Sequence, residues 1–249
     1  MFTDRKKIAC AALGLFAFAG AVFAQNTTID SFNEAKKLLE RKVYPDHRVT
    51  IYCNASFDQK KNITLPEGFT ASKHEKRSHR VEWEHVVPAE NFGRAFPEWR
   101  DGHPDCVDSK GRDFKGRRCA EKVNMTYRHM QADMYNLYPA IGSVNALRSN
   151  LNFGMLPGEK SDFGTCQMKI EGNTAEPPES ARGVIARTYK YMDAAYKEFN
   201  MSRQQKQLMD AWDKMYPVDA WECERARRIE RIQKNRNEIV AKACEKAGL

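Results

Sequence analysis

The 249-residue sequence contains 41 lysines and arginines against 33 aspartates and glutamates, which gives a formal net charge of +8 at pH 7. Hydrophobic residues make up 41% and aromatic residues 10%, values typical of globular proteins and not of disordered chains. This length fits one domain or two. The composition excludes collagen-like, coiled-coil and low-complexity classes. Because the only long apolar run covers residues 8–24, it also excludes a multi-span membrane protein.

The first 24 residues have the features of a secretory signal peptide. Basic residues 5–7 precede an apolar stretch, residues 8–22, and residues 22–24 form a cleavage site. We predict that residues 1–24 are removed, with an uncleaved anchor helix as the alternative. The mature chain, residues 25–249, is then periplasmic or secreted, without membrane association. Its charge of +6, after loss of three basic residues and one acidic residue, favours polyanionic partners: nucleic acid, an anionic membrane surface or an acidic cell-wall polymer.

Export also suggests how the cysteines are used. Removal of the signal peptide takes Cys10 away and leaves six cysteines, an even number in an oxidising compartment, so we expect three disulfides. Six cysteines allow 15 pairings. Pairing of sequence neighbours gives Cys106–Cys119 and Cys223–Cys244, and Cys53–Cys166 follows by elimination. The spacings do not match a structural zinc site.

Capping motifs and hydrophobic periodicity predict the elements of the first part of the mature chain. They are a helix from Ser31 to before Pro45, strands at residues 48–53 and 80–87, a loop over residues 93–123, a helix at residues 127–137 ending at Pro139, and a short helix capped by Ser143. A loop of this length within a domain is usually functional or disordered, and a disulfide across it argues against disorder.

The remainder of the chain is mostly helical by the same criteria. We predict a strand at residues 166–170, a helix carrying an apolar stripe over residues 181–199, and two further helices capped by Ser202 and Asp219. No repeat or interdomain linker interrupts the pattern. The expected fold is a single mixed α+β domain with a helical C-terminal half.

The densest polar cluster in a predicted strand is Glu82-Trp83-Glu84-His85. On a regular strand Glu82 and Glu84 share one face, and two carboxylates there can bind a hard cation such as Mg²⁺. His85 can act as a base, because its ordinary pKa lies close to neutral pH. Glu84 and His85 can reach one site only where the strand ends, as it does before Pro88. The alternative is an edge strand with a solvated acidic face.

The sequence around this cluster resembles the bacterial endonuclease I family, exported nucleases of the ββα-metal (His-Me finger) fold. The resemblance starts in residues 82–89 and continues, in the same order, through several later segments. These are residues 133–142, 144–145, 148–150, 152–153, 181–183, 185–189, 208–209, 211–212, 216–219 and 221–223.

The resemblance implies a role for each matching residue. Glu84 and Asn145 correspond to the ligands of one Mg²⁺ ion, for which Mn²⁺ or Ca²⁺ can substitute. His85 corresponds to the general base. Arg117 corresponds to the arginine that contacts the phosphate, with Arg112 or Arg118 as alternatives. We therefore expect residues 25–249 to form a monomeric, sequence-nonspecific endonuclease that acts on DNA and RNA and leaves 5′-phosphate and 3′-hydroxyl ends.

Two other functional interpretations remain open at this stage. A secreted lysozyme-like hydrolase would use Glu82 and Glu84 as its carboxylate pair, but such pairs flank a sugar at roughly 5–9.5 Å, whereas neighbours on one strand face are parallel and crowded. A secreted nucleic-acid-binding protein could keep the scaffold without catalysis. The presence of Glu84, His85 and Asn145 together argues against that second alternative.

Overall fold

A computed structural model describes residues 25–249. The predicted signal peptide, residues 1–24, lies outside the described residues. In chain order the elements are α1 (Phe32–Leu38), β1 (Ser56–Phe57), β2 (Ile63–Thr64), β3 (Val81–His85), α2 (Ala89–Gly93), α3 (Pro97–Arg100), α4 (Arg117–Val123), α5 (Met125–Gln131), β4 (Leu137–Ile141), α6 (Gly142–Arg148), β5 (Asn152–Phe153), β6 (Lys169–Glu171), β7 (Thr174–Glu176), α7 (Glu179–Ala195), α8 (Arg203–Met215), α9 (Ala220–Gln233) and α10 (Glu238–Ala247). Within this part of the chain no helix is both long and apolar enough to cross a bilayer.

The N-terminal helix begins where the capping motif predicts. The hydroxyl of Ser31 accepts a hydrogen bond from the backbone N–H of Glu34, and α1 continues as a π-helical turn to Val43. The strand predicted at residues 48–53 is wrong. Val49 makes only an isolated bridge, and residues 51–53 form a turn. The reason is local, because the N–H of Thr50 bonds to the carbonyl of Ala55 and closes the backbone on itself.

The element that positions the site is a strand–strand–helix unit. β3 pairs antiparallel with β4, from Val81 opposite Ile141 to His85 opposite Leu137, and α6 follows β4 directly. β3 confirms the strand predicted at residues 80–87. The predicted helix over residues 127–137 is correct only as far as Gln131, because Leu137 already belongs to β4.

Pro139 therefore lies within a strand and does not terminate a helix. A two-stranded sheet tolerates proline where the missing N–H is not needed for the ladder, and the Pro139 carbonyl accepts a bond from the N–H of Ile51. The short helix predicted after Ser143 is present as α6, but it begins two residues before the predicted start at Val144 and is not capped by Ser143. The Ser143 hydroxyl accepts a hydrogen bond from Ser78 instead.

Two further small sheets and four helices complete a single α+β domain with a helical C-terminal half. In one sheet β1 pairs antiparallel with β2. The other has the order β5-β7-β6, with β5 parallel and β6 antiparallel to β7. Ser202 and Gln205 form the predicted capping box of α8, and Asp219 caps α9. The last predicted helix is divided, because Lys234 adopts a left-handed conformation and Asn237 caps a new helix, α10.

Three disulfides connect these elements. Their pairings are those predicted from the sequence: Cys53–Cys166, Cys106–Cys119 and Cys223–Cys244. The loop predicted over residues 93–123 contains α3 and α4, and Cys106–Cys119 joins the segment between these two helices to α4. Cys223–Cys244 connects α9 to α10. Cys53–Cys166 spans 113 residues and joins the turn at residues 51–53 to the segment before β6.

Candidate active site

One cavity of about 350 Å³ contains all four residues singled out for chemistry. Glu84 and His85 come from the end of β3, Arg117 from the first turn of α4, and Asn145 from α6. β3 ends at His85, which allows two neighbouring side chains of the strand to line the same space. The structure thus brings together residues that are separated by up to 61 positions in the sequence.

His85 is held as a neutral imidazole. Its Nε2 lies 2.8 Å from the carbonyl oxygen of Gln131, an acceptor, so Nε2 carries the ring proton and Nδ1 keeps its lone pair. Burial lowers the pKa of His85 to about 3, and the positive charge of Arg117 acts in the same direction. The Phe32 ring lies against the imidazole, with 4.8 Å between centroids. This arrangement leaves Nδ1 as a proton acceptor at neutral pH.

Glu84 is a buried carboxylate, only 3% exposed. Its Oε1 accepts hydrogen bonds from the Tyr52 hydroxyl at 2.6 Å and from Nη1 of Arg148 at 2.8 Å. Burial raises the pKa of Glu84, and the adjacent Arg148 guanidinium opposes this rise. Both side-chain hydrogen bonds use Oε1. Oε2 is therefore the oxygen available to a ligand in the cavity.

Arg148 is itself completely buried behind the site. Besides Glu84, its guanidinium donates to the carbonyls of His85 at 2.8 Å and Val86 at 2.6 Å. The face of the guanidinium lies 4.4 Å from the Phe153 ring centroid. The Arg148 guanidinium thus binds both the Glu84 side chain and the backbone at the end of β3.

The side-chain amide of Asn145 is oriented by Glu82. Nδ2 of Asn145 donates to Oε2 of Glu82 at 3.0 Å, so the amide oxygen Oδ1 is the atom left for the cavity. Arg77 donates to both carboxylate oxygens of Glu82. Burial alone would raise the pKa of Glu82, but the bonds from Arg77 and Asn145 lower it. Gly142 permits this packing, because a Cβ there would lie 2.5 Å from the Arg77 carbonyl oxygen.

Among the three arginines proposed for phosphate contact, Arg117 lines the cavity. Arg112 pairs with Asp108 at 2.7 Å, and the Arg118 guanidinium lies over the Phe114 ring. The geometry therefore favours Arg117.

Sequence reasoning missed the supporting contacts. Tyr52 comes from a turn that the sequence predicted as a strand, and Arg148 had no role assigned. The spacing from Val144 to Arg148 was an available signal that Arg148 is buried, because residues four apart share one face of α6. Glu82, considered as a cation ligand or as half of a lysozyme-like pair, is instead bonded to Arg77 and Asn145. Its lowered pKa does not suit the protonated acid that the lysozyme-like alternative needs.

The available donor atoms fit a small, hard divalent cation. The free atoms are Oε2 of Glu84 and Oδ1 of Asn145, and oxygen ligands of this kind are preferred by Mg²⁺. Residues 25–249 contain no group of three or more His, Cys, Asp or Glu side chains placed to hold a metal. Two protein oxygens would leave the other coordination positions to water and substrate.

The sequence comparisons identify the family of the chain. The model of the family described as Endonuclease I matches residues 26–244, and the chain belongs to that family. It is 36% identical to a protein named Endonuclease-1 from Buchnera aphidicola subsp. Acyrthosiphon pisum (strain APS), over 98% of this chain and 94% of that protein.

Two further relatives come from Aeromonas hydrophila. A protein named Extracellular deoxyribonuclease is 38% identical, over 86% of this chain and 91% of its own length. A protein named Periplasmic deoxyribonuclease is 39% identical, over 82% of this chain and 83% of its own length.

Proposed function

We propose that the protein is a periplasmic or secreted endonuclease that hydrolyses phosphodiester bonds of DNA and RNA without sequence preference, as a monomer. The observation that carries the proposal is the shared cavity, in which a neutral His85 lies beside the oxygen donors Glu84 and Asn145. The names of the relatives, extracellular and periplasmic deoxyribonucleases, support both the reaction and the compartment. The strand–strand–helix unit of β3, β4 and α6 is the proposed ββα-metal core.

In this proposal Glu84 Oε2 and Asn145 Oδ1 hold one Mg²⁺, with Mn²⁺ or Ca²⁺ as substitutes. When bound, the cation supplies Lewis-acid stabilisation of negative charge on the phosphate and on the departing oxygen. The protein prepares both ligands in advance. Arg148 and Tyr52 fix the carboxylate, and Glu82 fixes the amide with its oxygen toward the cavity.

The remaining steps belong to His85 and Arg117. Nδ1 of His85 accepts a proton from the attacking water as its oxygen forms a bond to phosphorus. The bond from phosphorus to the 3′ oxygen breaks, and that oxygen leaves with the electron pair and is protonated by water. The products are a 5′-phosphate and a 3′-hydroxyl. Arg117 donates to a non-bridging oxygen of the phosphate, where its guanidinium stabilises the added negative charge.

A plasmid-nicking assay tests the proposal. With Mg²⁺ present, the protein should convert supercoiled plasmid to nicked and linear forms, EDTA should stop the reaction, and added Mg²⁺ should restore it. His85→Ala should lose most of this activity. His79→Ala is the matched control, because His79 is exposed six residues earlier and should leave activity unchanged. Equal nicking by the His85 variant would refute the assigned base. Chelator-resistant release of sugar from peptidoglycan would indicate the lysozyme-like reaction instead.

A further inference from the structure

The N-terminal helix places a lysine against an aromatic residue that lines the proposed active site. Phe32 of α1 lines the cavity, and its ring lies 4.8 Å from that of His85. Lys36, four residues later on the same face of the helix, places its ammonium 4.5 Å from the centroid of the Phe32 ring. These two contacts in series, ammonium on phenyl and phenyl on imidazole, lead from the surface to the proposed base.

This ammonium is not neutralised by a carboxylate. Among the ion pairs formed by residues 25–249, none includes Lys36. The acidic residue one turn further along, Glu40, is already engaged, because its Oε1 accepts from Lys61 at 3.1 Å and from the Trp83 indole at 3.2 Å. A half-buried cation held over an aromatic ring is thus available to an anionic ligand.

The chemistry of the substrate identifies that ligand. A nucleic-acid strand carries one phosphate per 3.4 Å along the duplex axis, so a strand with one phosphate at Arg117 presents others nearby. We propose that Lys36 binds a backbone phosphate next to the one that is cleaved, and that the Phe32 ring holds its ammonium in place. This inference rests on the proposed function, because it assumes that a nucleic-acid strand occupies the cavity.

The salt dependence of binding isolates this contact. Each phosphate neutralised on duplex DNA contributes about 0.9 to the slope of log K against log salt concentration. Binding of a short labelled duplex is measured by fluorescence anisotropy from about 50 to about 200 mM salt. All proteins carry His85→Ala to prevent cleavage, at a fixed Mg²⁺ concentration. Adding Lys36→Ala should reduce the magnitude of the slope by about 0.9.

Lys37→Ala is the matched control. It removes the same charge from the next residue of α1, which is exposed and faces away from Phe32. This variant should leave the slope nearly unchanged, and Lys36→Arg should retain the parental slope. An unchanged slope for Lys36→Ala, or an equal change for Lys36→Ala and Lys37→Ala, would overturn the proposal and indicate diffuse attraction. Because this readout is binding by an uncleaving protein, it is separate from the nicking assay that tests the proposed function.

Discussion

The buried contact between Arg148 and Glu84 gives the sharpest prediction. We consider Arg148→Met, which keeps an apolar side chain of similar length and removes the charge. The guanidinium is fully buried and bonds to the Glu84 carboxylate and to two backbone carbonyls. Its removal leaves a carboxylate that is 3% exposed with only the Tyr52 hydroxyl as a partner.

The expected cost follows from this geometry. Removing one partner of a buried ion pair typically destabilises a protein by about 3–5 kcal/mol, because the other charge stays buried without compensation. Against a total stability of about 5–15 kcal/mol, such a loss is large. We therefore expect Arg148→Met to lower the free energy of unfolding by about 3–5 kcal/mol. Urea titration of the metal-free protein at pH 7 measures this quantity.

A second variant separates lost charge compensation from lost packing. Glu84→Gln is neutral and keeps an oxygen for the Tyr52 hydroxyl to bond. In the double variant with Arg148→Met, the two effects should not add. The free energy of unfolding should fall by at least about 1 kcal/mol less than the sum of the decreases caused by the two single variants. Additive effects, or a loss below about 1 kcal/mol for Arg148→Met alone, would refute the electrostatic reasoning.

The pH dependence of stability should depend on His85. The folded protein keeps this ring neutral down to a pKa of about 3, whereas the ring of the unfolded chain takes up a proton below about pH 6.5. The free energy of unfolding should therefore fall as the pH drops through this interval, and the unfolding constant should rise by up to about tenfold per pH unit. His85→Asn should remove this contribution in urea titrations with EDTA, and an unchanged profile would contradict the prediction. Asn145→Asp places a second carboxylate against Glu82, so it should lower the melting temperature of the metal-free protein. Adding Glu82→Gln should raise the melting temperature again, and a further decrease in melting temperature would argue against the contact. Gly142→Ala brings a Cβ to 2.5 Å from the Arg77 carbonyl oxygen and should cost about 1–3 kcal/mol by urea titration, so a neutral result would show that α6 can shift freely.

Three of the four N-caps predicted from the sequence are correct, whereas Ser143 does not cap α6. Ser31, Ser202 and Asp219 cap helices as predicted, because an N-cap depends on a side chain and an N–H only two or three residues away. The disulfides Cys106–Cys119 and Cys223–Cys244 likewise join near neighbours. At these positions the short-range signal was sufficient.

The errors have two causes: a distant strand decides the structure of one segment, and a backbone hydrogen bond within a turn decides that of another. Leu137 continues the helical spacing of Tyr127, Met130 and Met134, yet residues 137–141 form β4 because β3, more than 50 positions earlier, offers a complete ladder. The turn around Tyr52 alternates like a strand but closes on itself through Thr50. Hydrophobic periodicity alone does not reveal which partner a segment will meet.

The candidate site shows the same division. Glu84 and His85 were found from one tetrapeptide at the end of a strand, whereas Asn145 and Arg117 were named only through the family resemblance. Tyr52 and Arg148 were missed as supports of Glu84, since a buried hydrogen bond between residues 32 or 64 positions apart has no local signature.

The disulfide that spans the most residues, Cys53–Cys166, begins beside a residue that supports the proposed metal ligand. Cys53 directly follows Tyr52, whose hydroxyl bonds to the Glu84 carboxylate. The bond from Cys53 to Cys166 therefore gives the turn that carries Tyr52 a covalent link to a segment 113 residues away, next to the hydroxyl that orients the carboxylate.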